Sequence, residues 1–328
     1  MYQMMSLPLY SGTLGEYNSW RDLGQELERL GCDGIEGVWA GEDLPKDLPA
    51  ELILGYHLIF YPDWLDFYRD DRAALKQKFG SLEVTASFYG GLGPDTLLEQ
   101  YRADLRRAVN LGARYVVFHV SDVSLEEGYT YRWLHTNQEV IDAAVEVVNL
   151  ILGEERWPFE FLVENQWWPG FTFTEPEETA RLLEGIRFAG KGILLDTGHL
   201  MNACTELKTE AEGADYIRRM LNRHGSLAKW VRGVHLHQSL SGAYVKAHTG
   251  SLPAGLPEDY MERFGVSYQH ILQIDQHRPW TDPAILSVLE QIEPRYLTHE
   301  LSSRGRMARA EAVSVQTRLL QQGGRMRV

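Results

Sequence analysis

Short apolar runs alternate with longer amphipathic runs along almost the whole chain. The apolar runs are rich in β-branched and aromatic residues and show little polar alternation, which is typical of strands buried on both faces of a parallel sheet. Eight such runs are present, at residues 3–9, 34–39, 52–60, 114–120, 159–165, 192–197, 231–238 and 295–301. Eight strands that alternate with helices predict an α/β fold, a single (βα)8 TIM barrel that forms one domain over residues 1–328.

The amphipathic runs predict the helices of this barrel, because their apolar residues recur at helical spacing. Ser19 followed by Asp22 indicates the capped start of the first helix, and Gly31 indicates its end. The predicted helices cover residues 19–30, 64–79, 95–111, 137–152, 175–187, 209–224, 282–292 and 306–322.

Two connections depart from the regular alternation of strands and helices. The link between the second and third strands, GEDLPKDLPAE, is too short and too rich in proline for a full helix. Residues 239–280 form a long loop after the seventh strand, with Gly, Ser, Pro and Tyr scattered through it. Because long loops at this position of a barrel usually build or cover the active site, we expect this one to do so.

Composition narrows the class of protein. The hydrophobic fraction of 44% is enough for a large core and excludes a disordered chain. No apolar run reaches the roughly 18 residues that span a bilayer, and the start MYQMMSLPLYSG lacks the pattern of a signal peptide. Cys32 and Cys204 are the only cysteines, too few for a disulfide framework. We therefore expect a cytoplasmic protein without a membrane partner.

The net charge of −14 bears on the choice of partner. An acidic surface repels phosphate backbones, and nucleic-acid binders usually carry a basic patch. Basic residues cluster only in the C-terminal pieces RGRMARA and RMRV, which fit the flanks of the last helix. The sequence thus favours a small-molecule substrate over nucleic acid, and it leaves a homo-oligomer open.

Polar side chains stand at or near the C-terminal ends of seven successive strands, where each interrupts an apolar run. A single histidine on a strand is more often a packing residue than a ligand. Seven ligand-type residues that converge on one rim are hard to explain by packing, because buried carboxylates and imidazoles are costly unless paired or coordinated. The sequence therefore predicts a metal site at this rim. The seven residues are Glu36, His57, His119, Glu164, Asp196, His235 and Glu300.

The two-residue period of a strand sorts these side chains further. His235 and His237 are two apart and share one face, so both are expected at the barrel mouth. His299 and Glu300 are neighbours and face opposite ways, so an inward Glu300 excludes His299 from the site.

The turn after Asp196 presents His199 over the same rim. Three carboxylates with one imidazole suit Mn²⁺, Co²⁺ or Mg²⁺, and further imidazoles shift the preference towards Zn²⁺. We expect the cofactor to be one of these divalent ions.

The ordered set of motifs resembles the xylose-isomerase-like TIM-barrel superfamily, which includes sugar and sugar-phosphate isomerases, epimerases and the endonuclease IV family. The segments that carry the resemblance span about residues 30–305. They are VEN with Glu164, LDTGH at 195–199, VHLHQ, and the terminal HEL. The set is specific for the superfamily rather than for one activity.

In the isomerase and epimerase branch, the resemblance implies four metal ligands, Glu164, Asp196, His235 and Glu300. It also implies that the two glutamates are catalytic and transfer protons next to a metal-polarised carbonyl, which agrees with the acidity of such protons. We accordingly expect a metal-dependent isomerase or epimerase of a small sugar, sugar phosphate or related polyol-derived ketone.

Endonuclease IV relatives carry a larger site with three zinc ions, and His57, His119 and His199 match histidines of that set. The set also contains an Asp-x-His after the seventh strand, which aligns here with Lys246-Ala247-His248. A lysine replaces the aspartate, and the net charge is acidic. Because both features depart from this set, a metal-dependent phosphodiester hydrolase is the alternative function and not the first expectation. A barrel that only binds ligands is the third hypothesis.

Residues in the loops suggest contacts with the substrate. Trp64 follows the third strand and Trp167 follows the fifth, and aromatic rings in barrel loops either stack on sugars or pack the rim. Lys246, Arg278 and Arg304 lie after the last two strands, where barrels commonly bind phosphate. We also expect Glu36 to contact the substrate. Additional contacts to metal or substrate are expected from His57, His119, His199, His237 and His248.

Overall fold

A computed structural model describes residues 1–323 and shows a closed barrel of eight parallel strands. Each strand pairs with its successor in the chain, and the first strand closes the ring against the eighth. This architecture confirms the predicted (βα)8 barrel. The strands are β1 Tyr2–Leu9, β2 Gly34–Trp39, β3 Ile53–His57, β4 Tyr115–His119, β5 Glu160–Glu164, β6 Lys191–Asp196, β7 Val231–His235 and β8 Tyr296–His299.

Helices surround the barrel and fill most connections. The first long helix starts as predicted, because the Ser19 side chain accepts a hydrogen bond from the Asp22 N–H, and it ends at Gly31 with a φ of 75°. The helices are α1 Ser11–Leu14, α2 Trp20–Leu30, α3 Leu65–Tyr68, α4 Arg72–Phe79, α5 Leu82–Tyr89, α6 Pro94–Asn110, α7 Leu125–Thr130, α8 Asn137–Leu152, α9 Pro176–Gly185, α10 Thr197–Asn202, α11 Glu210–His224, α12 Gly242–His248, α13 Tyr260–Ile274, α14 Ile285–Ile292 and α15 Arg306–Gln322.

Alternate strand residues pack into two layers of core. One set, including Met4, Tyr115 and Leu162, forms a separate apolar cluster to which β1, β3, β4, β5, β6 and β8 contribute. The other set, including Val116 and Phe161, packs in the large cluster with the helices. The barrel interior is therefore filled by side chains, and polar groups gather at the C-terminal rim.

The segment predicted as one helix over residues 64–79 forms two helices, α3 and α4. The chain turns at Asp70, whose φ is 52°, and the Asp71 carboxylate accepts hydrogen bonds from the N–H groups of Ala73 and Ala74. An acceptor in this position starts a new helix, which is why the run divides here. A further helix, α5, was not predicted.

The insertion after β7 lies where the sequence placed it, but it is not a plain loop. It contains α12 and α13, and the Asp259 carboxylate caps α13 by accepting from the Glu262 N–H. The link between β2 and β3 contains only the short 3₁₀ turn Ala50–Leu52, as predicted. Within the described residues 1–323, no helix has the length and apolar content needed to cross a membrane.

Candidate metal centre

The C-terminal ends of β3 to β8 bring polar side chains together at one rim. Within residues 1–323, three groups of side chains have ligand atoms that lie within 4.8 Å of one another. Glu164 belongs to two of the groups, so these two adjoin. The first group is His57, His119 and Glu164, the second is Glu164, Asp196, His235 and Glu300, and the third is His199, His237, Asp275 and His277.

The first group is a triangle of three ligand atoms. The Nε2 atoms of His57 and His119 are 3.0 Å apart and lie 3.4 and 3.1 Å from Oε2 of Glu164. Ligand atoms about 2.1 Å from a tetrahedral ion are about 3.4 Å from one another, so the triangle has the size of one coordination sphere. The Nδ1 of His57 bonds to the Leu58 carbonyl at 2.8 Å, which leaves Nε2 as the atom that faces the group.

The second group contains the four ligands that the sequence predicted. His235 Nδ1 lies 2.9 Å from Oε2 of Glu300, 3.3 Å from Oε1 of Glu164 and 3.7 Å from Oδ2 of Asp196. These side chains come from the ends of β5, β6, β7 and β8. The geometry thus brings all four together around the imidazole.

Glu36 lies beneath the second group and does not line the cavity, which corrects its expected contact with the substrate. Its Oε1 is 2.8 Å from Nε2 of His235, and its Oε2 accepts hydrogen bonds from Tyr115 at 2.6 Å and Thr298 at 3.0 Å. Because Nε2 of His235 is held from below, Nδ1 faces Glu164 and Glu300. Glu36 therefore orients His235, a candidate metal ligand.

Asp275 and His277 belong to the third group and were missed by the sequence-based prediction. Oδ2 of Asp275 is 3.3 Å from Nε2 of His199 and 2.6 Å from Nε2 of His277. His237 stacks on His277 with ring centroids 4.0 Å apart, and its Nε2 is 2.8 Å from Oδ2 of Asp196. Both missed residues lie directly after α13.

The structure brings Asp275-Gln276-His277 of the insertion to the rim, whereas Lys246-Ala247-His248, the expected match to the Asp-x-His, lies outside the three groups. Lys246 is exposed on α12 and pairs with Glu206 at 2.7 Å. His248 is exposed on the same helix, and its ring stacks on Tyr244. Lys246 therefore does not exclude a three-ion site at the rim.

Three other residues expected to contact substrate lie outside the cavity that opens above the rim. Trp64 is buried, and its indole N–H donates to the Ser121 carbonyl at 2.6 Å, so it packs the rim. Arg278 and Arg304 are exposed. His299 contacts Gln316 and Gln3 away from the rim, as the strand period predicted.

His199 is held in place by contacts with Asp196, Asn165 and Gln166, of which only Gln166 lies outside the sequence motifs. The carboxylate of Asp196 accepts the His199 backbone N–H at 2.6 Å and thereby caps α10. The Nδ1 of His199 lies 3.0 Å from both the Gln166 side-chain amide and the Asn165 carbonyl. These contacts direct Nε2 towards Asp275.

Several candidate ligand atoms at the rim are buried and, apart from ion-pair contacts with one another, have no hydrogen-bond partner, which is costly unless something else binds them. They are Glu164 Oε1 and Oε2, Glu300 Oε2, His235 Nδ1, His237 Nδ1 and Asp275 Oδ1. Six imidazoles beside four carboxylates form a donor set that suits Zn²⁺. The residues present therefore fit divalent ions.

Electrostatic coupling within the rim is strong. Burial lowers the pKa of His235, but the carboxylates of Glu300, Glu36 and Glu164 outweigh burial and raise this pKa well above its ordinary value. Burial raises the pKa of Glu164, yet His119 and His235 hold it well below its usual range. Burial keeps the pKa of His119 below its ordinary value. The carboxylates and His235 thus stabilise each other's charged forms, whereas at His119 burial outweighs the neighbouring carboxylate.

A cavity of about 600 Å³ opens above the rim. Its lining includes His57, His119 and Glu300 from the rim, together with side chains of α5, α7 and α13. Trp167 also lines it, with its ring centroid 5.2 Å from that of His199. The cavity therefore opens onto the side chains that could hold a metal ion.

Comparison with known proteins gives one family match. The family model described as xylose isomerase-like TIM barrel matches residues 25–313. No curated protein matches the chain in sequence.

Solved structures share the fold at low sequence identity. Endonuclease IV from Thermus thermophilus is 16% identical with a TM-score of 0.55, covering 98% of this chain and 100% of that chain. A D-tagatose 3-epimerase-like protein is 15% identical with a TM-score of 0.53, covering 99% and 98%. The IOLI protein with a bound zinc atom is 16% identical with a TM-score of 0.51, covering 98% of both. At these identities the likeness shows the fold alone.

Proposed function

Since the chain belongs to the xylose isomerase-like TIM-barrel family, we propose that it is a metal-dependent enzyme that hydrolyses a small phosphoester. The observation that carries this proposal is the set of three groups of ligand atoms, two of which share Glu164. Adjoining metal sites that clamp a phosphoryl group recur in phosphatases and nucleases. An isomerase of this family would need only the second group.

The ions would be held by the first, second and third groups. When bound, they would supply Lewis acidity towards phosphoryl oxygens and would favour the ionisation of water. The residues of the chain position these ligands: Glu36 orients His235, and Gln166 orients His199. Glu300 is the ligand of the second group that lines the cavity, so it lies nearest to the substrate.

Duplex DNA is not the substrate that we propose. The net charge is −14, and within residues 1–323 no lysine or arginine lines the cavity. A DNA backbone would find no basic side chains there to replace its counterions. A small phosphoester needs no such surface, because the ions at the rim would neutralise its charge.

Isomerisation or epimerisation of a small sugar or sugar phosphate is the second candidate. The second group favours it, because it contains the four expected ligands and both candidate proton-transfer residues, Glu164 and Glu300. Burial opposes ionisation of Glu300, but His235 beside it holds its pKa at about 2. Glu300 is therefore ionised at neutral pH, the form that a metal ligand and a general base both require.

The test is cleavage of bis(p-nitrophenyl) phosphate by the zinc-loaded and manganese-loaded protein, followed by absorbance. We expect turnover that a chelator abolishes, and a loss of at least about 100-fold in Asp275→Asn, as for removal of a group that stabilises transition-state charge. His248→Ala, an exposed histidine outside the rim, is the matched control and should retain full activity.

The second candidate is tested with the same preparations. Ketoses incubated in heavy water would gain deuterium at the carbon next to the carbonyl, and Glu164→Gln and Glu300→Gln would slow this exchange by about 10²–10⁴-fold. Exchange without any phosphoester cleavage would reject the hydrolase in favour of the isomerase.

A further inference from the structure

We propose that the cavity above the rim binds a small molecule with a bulky, uncharged, ring-containing apolar group that carries a hydrogen-bond acceptor. This group would determine which substrate the enzyme accepts. The inference rests on the proposed function only for the other end of the molecule, which would reach the metal ligands.

The walls of the cavity are apolar. Helix α5 contributes Phe88, α7 contributes Leu125, and α13 contributes Phe264 and Ile271. The loop after β5 contributes Trp168, whose ring centroid is 4.2 Å from that of Trp167. Walls of this kind bind apolar surface, because such surface leaves water on binding.

Charged partners for a ligand lie only at the floor. Within residues 1–323, the ionisable side chains that line the cavity are the imidazoles and carboxylates of the rim, His270, and three tyrosines, one of which is Tyr268. Both ring nitrogens of His270 already have partners, the Tyr244 hydroxyl at 3.0 Å and the Gly128 carbonyl at 3.2 Å. An anionic group is therefore accommodated at the rim, and the part of the ligand against the walls is uncharged.

Polar side chains in the walls are mostly engaged within the protein. The Ser124 hydroxyl donates to the Glu127 carboxylate at 2.6 Å, and the Gln166 amide contacts His199. A site that recognises a sugar needs free polar partners for several hydroxyl groups. The walls offer few, which weighs against a free sugar as the ligand.

Among residues 1–323, three polar groups of the walls remain without a partner. The Ser267 hydroxyl and the indole N–H groups of Trp167 and Trp168 are buried and have no hydrogen-bond partner, and all three residues line the cavity. Ser267 is 4% exposed, Trp167 is 7% exposed and Trp168 is 8% exposed. Buried donors are rarely left unpaired in folded proteins, so these groups indicate an acceptor on the ligand.

The size of the cavity agrees with a small molecule. Its volume of about 600 Å³ lies within the range of about 300–1,000 Å³ found for small-molecule sites. Phe60 and Tyr268 line it and are 46% and 53% exposed, so aromatic rings also stand at its mouth. The apolar surface continues from the mouth to the metal ligands.

The first experiment measures binding of prodan, a neutral naphthyl ketone dye, to the zinc-loaded full chain by fluorescence titration. We expect saturable binding at one site with a blue-shifted emission. Ile271→Asp places a carboxylate in the apolar wall and should weaken binding at least about tenfold. Met261→Asp is the matched control, because Met261 is on the same helix but 52% exposed and outside the cavity, and it should change binding less than about twofold.

A milder variant controls for the possibility that Ile271→Asp misfolds. Ser267→Ala should weaken prodan binding about two- to tenfold, the usual range for one neutral hydrogen bond. It should leave binding of dimethylaminonaphthalene unchanged, because that dye lacks the carbonyl. Equal binding of prodan to the parent, Ile271→Asp and Ser267→Ala proteins, each with the parent's circular dichroism spectrum, would overturn the inference.

The second experiment separates this inference from the proposed function. Methyl, phenyl and naphthyl esters of p-nitrophenyl phosphate are compared as substrates, and KM should fall as the ester group grows. Cleavage with a KM independent of that group would refute the apolar specificity and leave the hydrolase standing. Prodan binding with the expected variant effects, but without cleavage of any ester, would refute the hydrolase and leave the cavity's preference standing.

Discussion

Glu164→Ala is expected to change the binding of two ions at once, because Glu164 belongs to both the first and the second group. The substitution leaves two ligands in the first group, His57 and His119, and three in the second. Zinc sites in proteins have at least three protein ligands. The first ion should therefore be lost, whereas the second should be retained with weaker affinity.

The expected number and affinity of the bound ions follow from the number of ligands that remain in each group. The parent protein should bind three zinc ions per chain, one for each group, and Glu164→Ala should bind two. Substitutions outside the coordination sphere already lower metal affinity by about 10- to 100-fold, so loss of a direct ligand should weaken the second ion at least about 100-fold. Equilibrium dialysis with elemental analysis gives the stoichiometry, and competition with a chromophoric chelator gives the affinities.

Two variants make this result specific to Glu164. His57→Ala should also lose the first ion but weaken the second less than Glu164→Ala does, because it leaves all four ligands of the second group in place. His248→Ala should retain three ions, since His248 is exposed on α12. Three tightly bound ions in Glu164→Ala, or a single ion in the parent protein, would refute the reasoning from shared ligands.

Three further predictions concern stability, substrate and orientation of a ligand. Lys78→Met should cost about 3–5 kcal/mol at pH 8 in urea unfolding, because the Lys78 ammonium lies 2.7 Å from both Asp63 and Asp66 in a buried cluster. Burial already raises the pKa of Asp63 from 3.8 to about 7, so below that pH its carboxyl is protonated in the folded protein and its ion pair with Lys78 is lost. The deficit of the variant should therefore be smaller at pH 5 than at pH 8. A deficit equal at both pH values, or one shared by the exposed Lys76→Met, would contradict this. Duplex DNA with an abasic site should not bind at physiological salt by fluorescence anisotropy, and submicromolar affinity would show that the acidic surface was misjudged. Glu36→Gln should lower zinc affinity about 10- to 100-fold without changing the stoichiometry, and unchanged affinity would reject its orienting role.

The strand-end ligands could be predicted from the sequence because two regularities locate them. Parallel strands of a barrel all end at one rim, and the two-residue period of a strand fixes which side chains face inward. Glu164, Asp196 and His235 end apolar runs, and the structure brings them together with Glu300. His299 was excluded by the same period, and it lies against Gln316.

Asp275 and His277 of the third group escaped prediction, because no such regularity holds in the insertion after β7. Asp275 and His277 have the spacing of an Asp-x-His motif, but their approach to His199 depends on where α13 ends. With the insertion treated as a loop, Lys246 and His248 were an equally plausible pair. A capping aspartate at 259 with Glu262 three residues later was the available signal for α13, and it would have placed Asp275 directly after a helix.

The cavity could not be predicted, because its walls come from segments far apart in the chain. Phe88, Leu125 and Ile271 belong to three helices, and α5 was not predicted. Apolar residues at helical spacing indicate a helix face that packs, but they do not tell whether the face packs on core or borders a cavity. For polar residues too, the sequence pattern does not tell what a side chain contacts. The strand-end position of Glu36 is equally compatible with a substrate contact and with a hydrogen bond to His235.

The arrangement of the rim also explains how a barrel accommodates so many buried ionisable side chains. Burial alone would raise the pKa of Glu164 and lower the pKa of His235, which favours the neutral form of each. Their contact with each other and with neighbouring groups reverses both pKa shifts. The pair is therefore present as an imidazolium next to a carboxylate, and each charge stabilises the other. A divalent ion that enters must displace these protons, because imidazole binds a metal only in its neutral form. Ions and protons therefore compete for the same atoms, and the carboxylates of the rim have a cationic partner in either state.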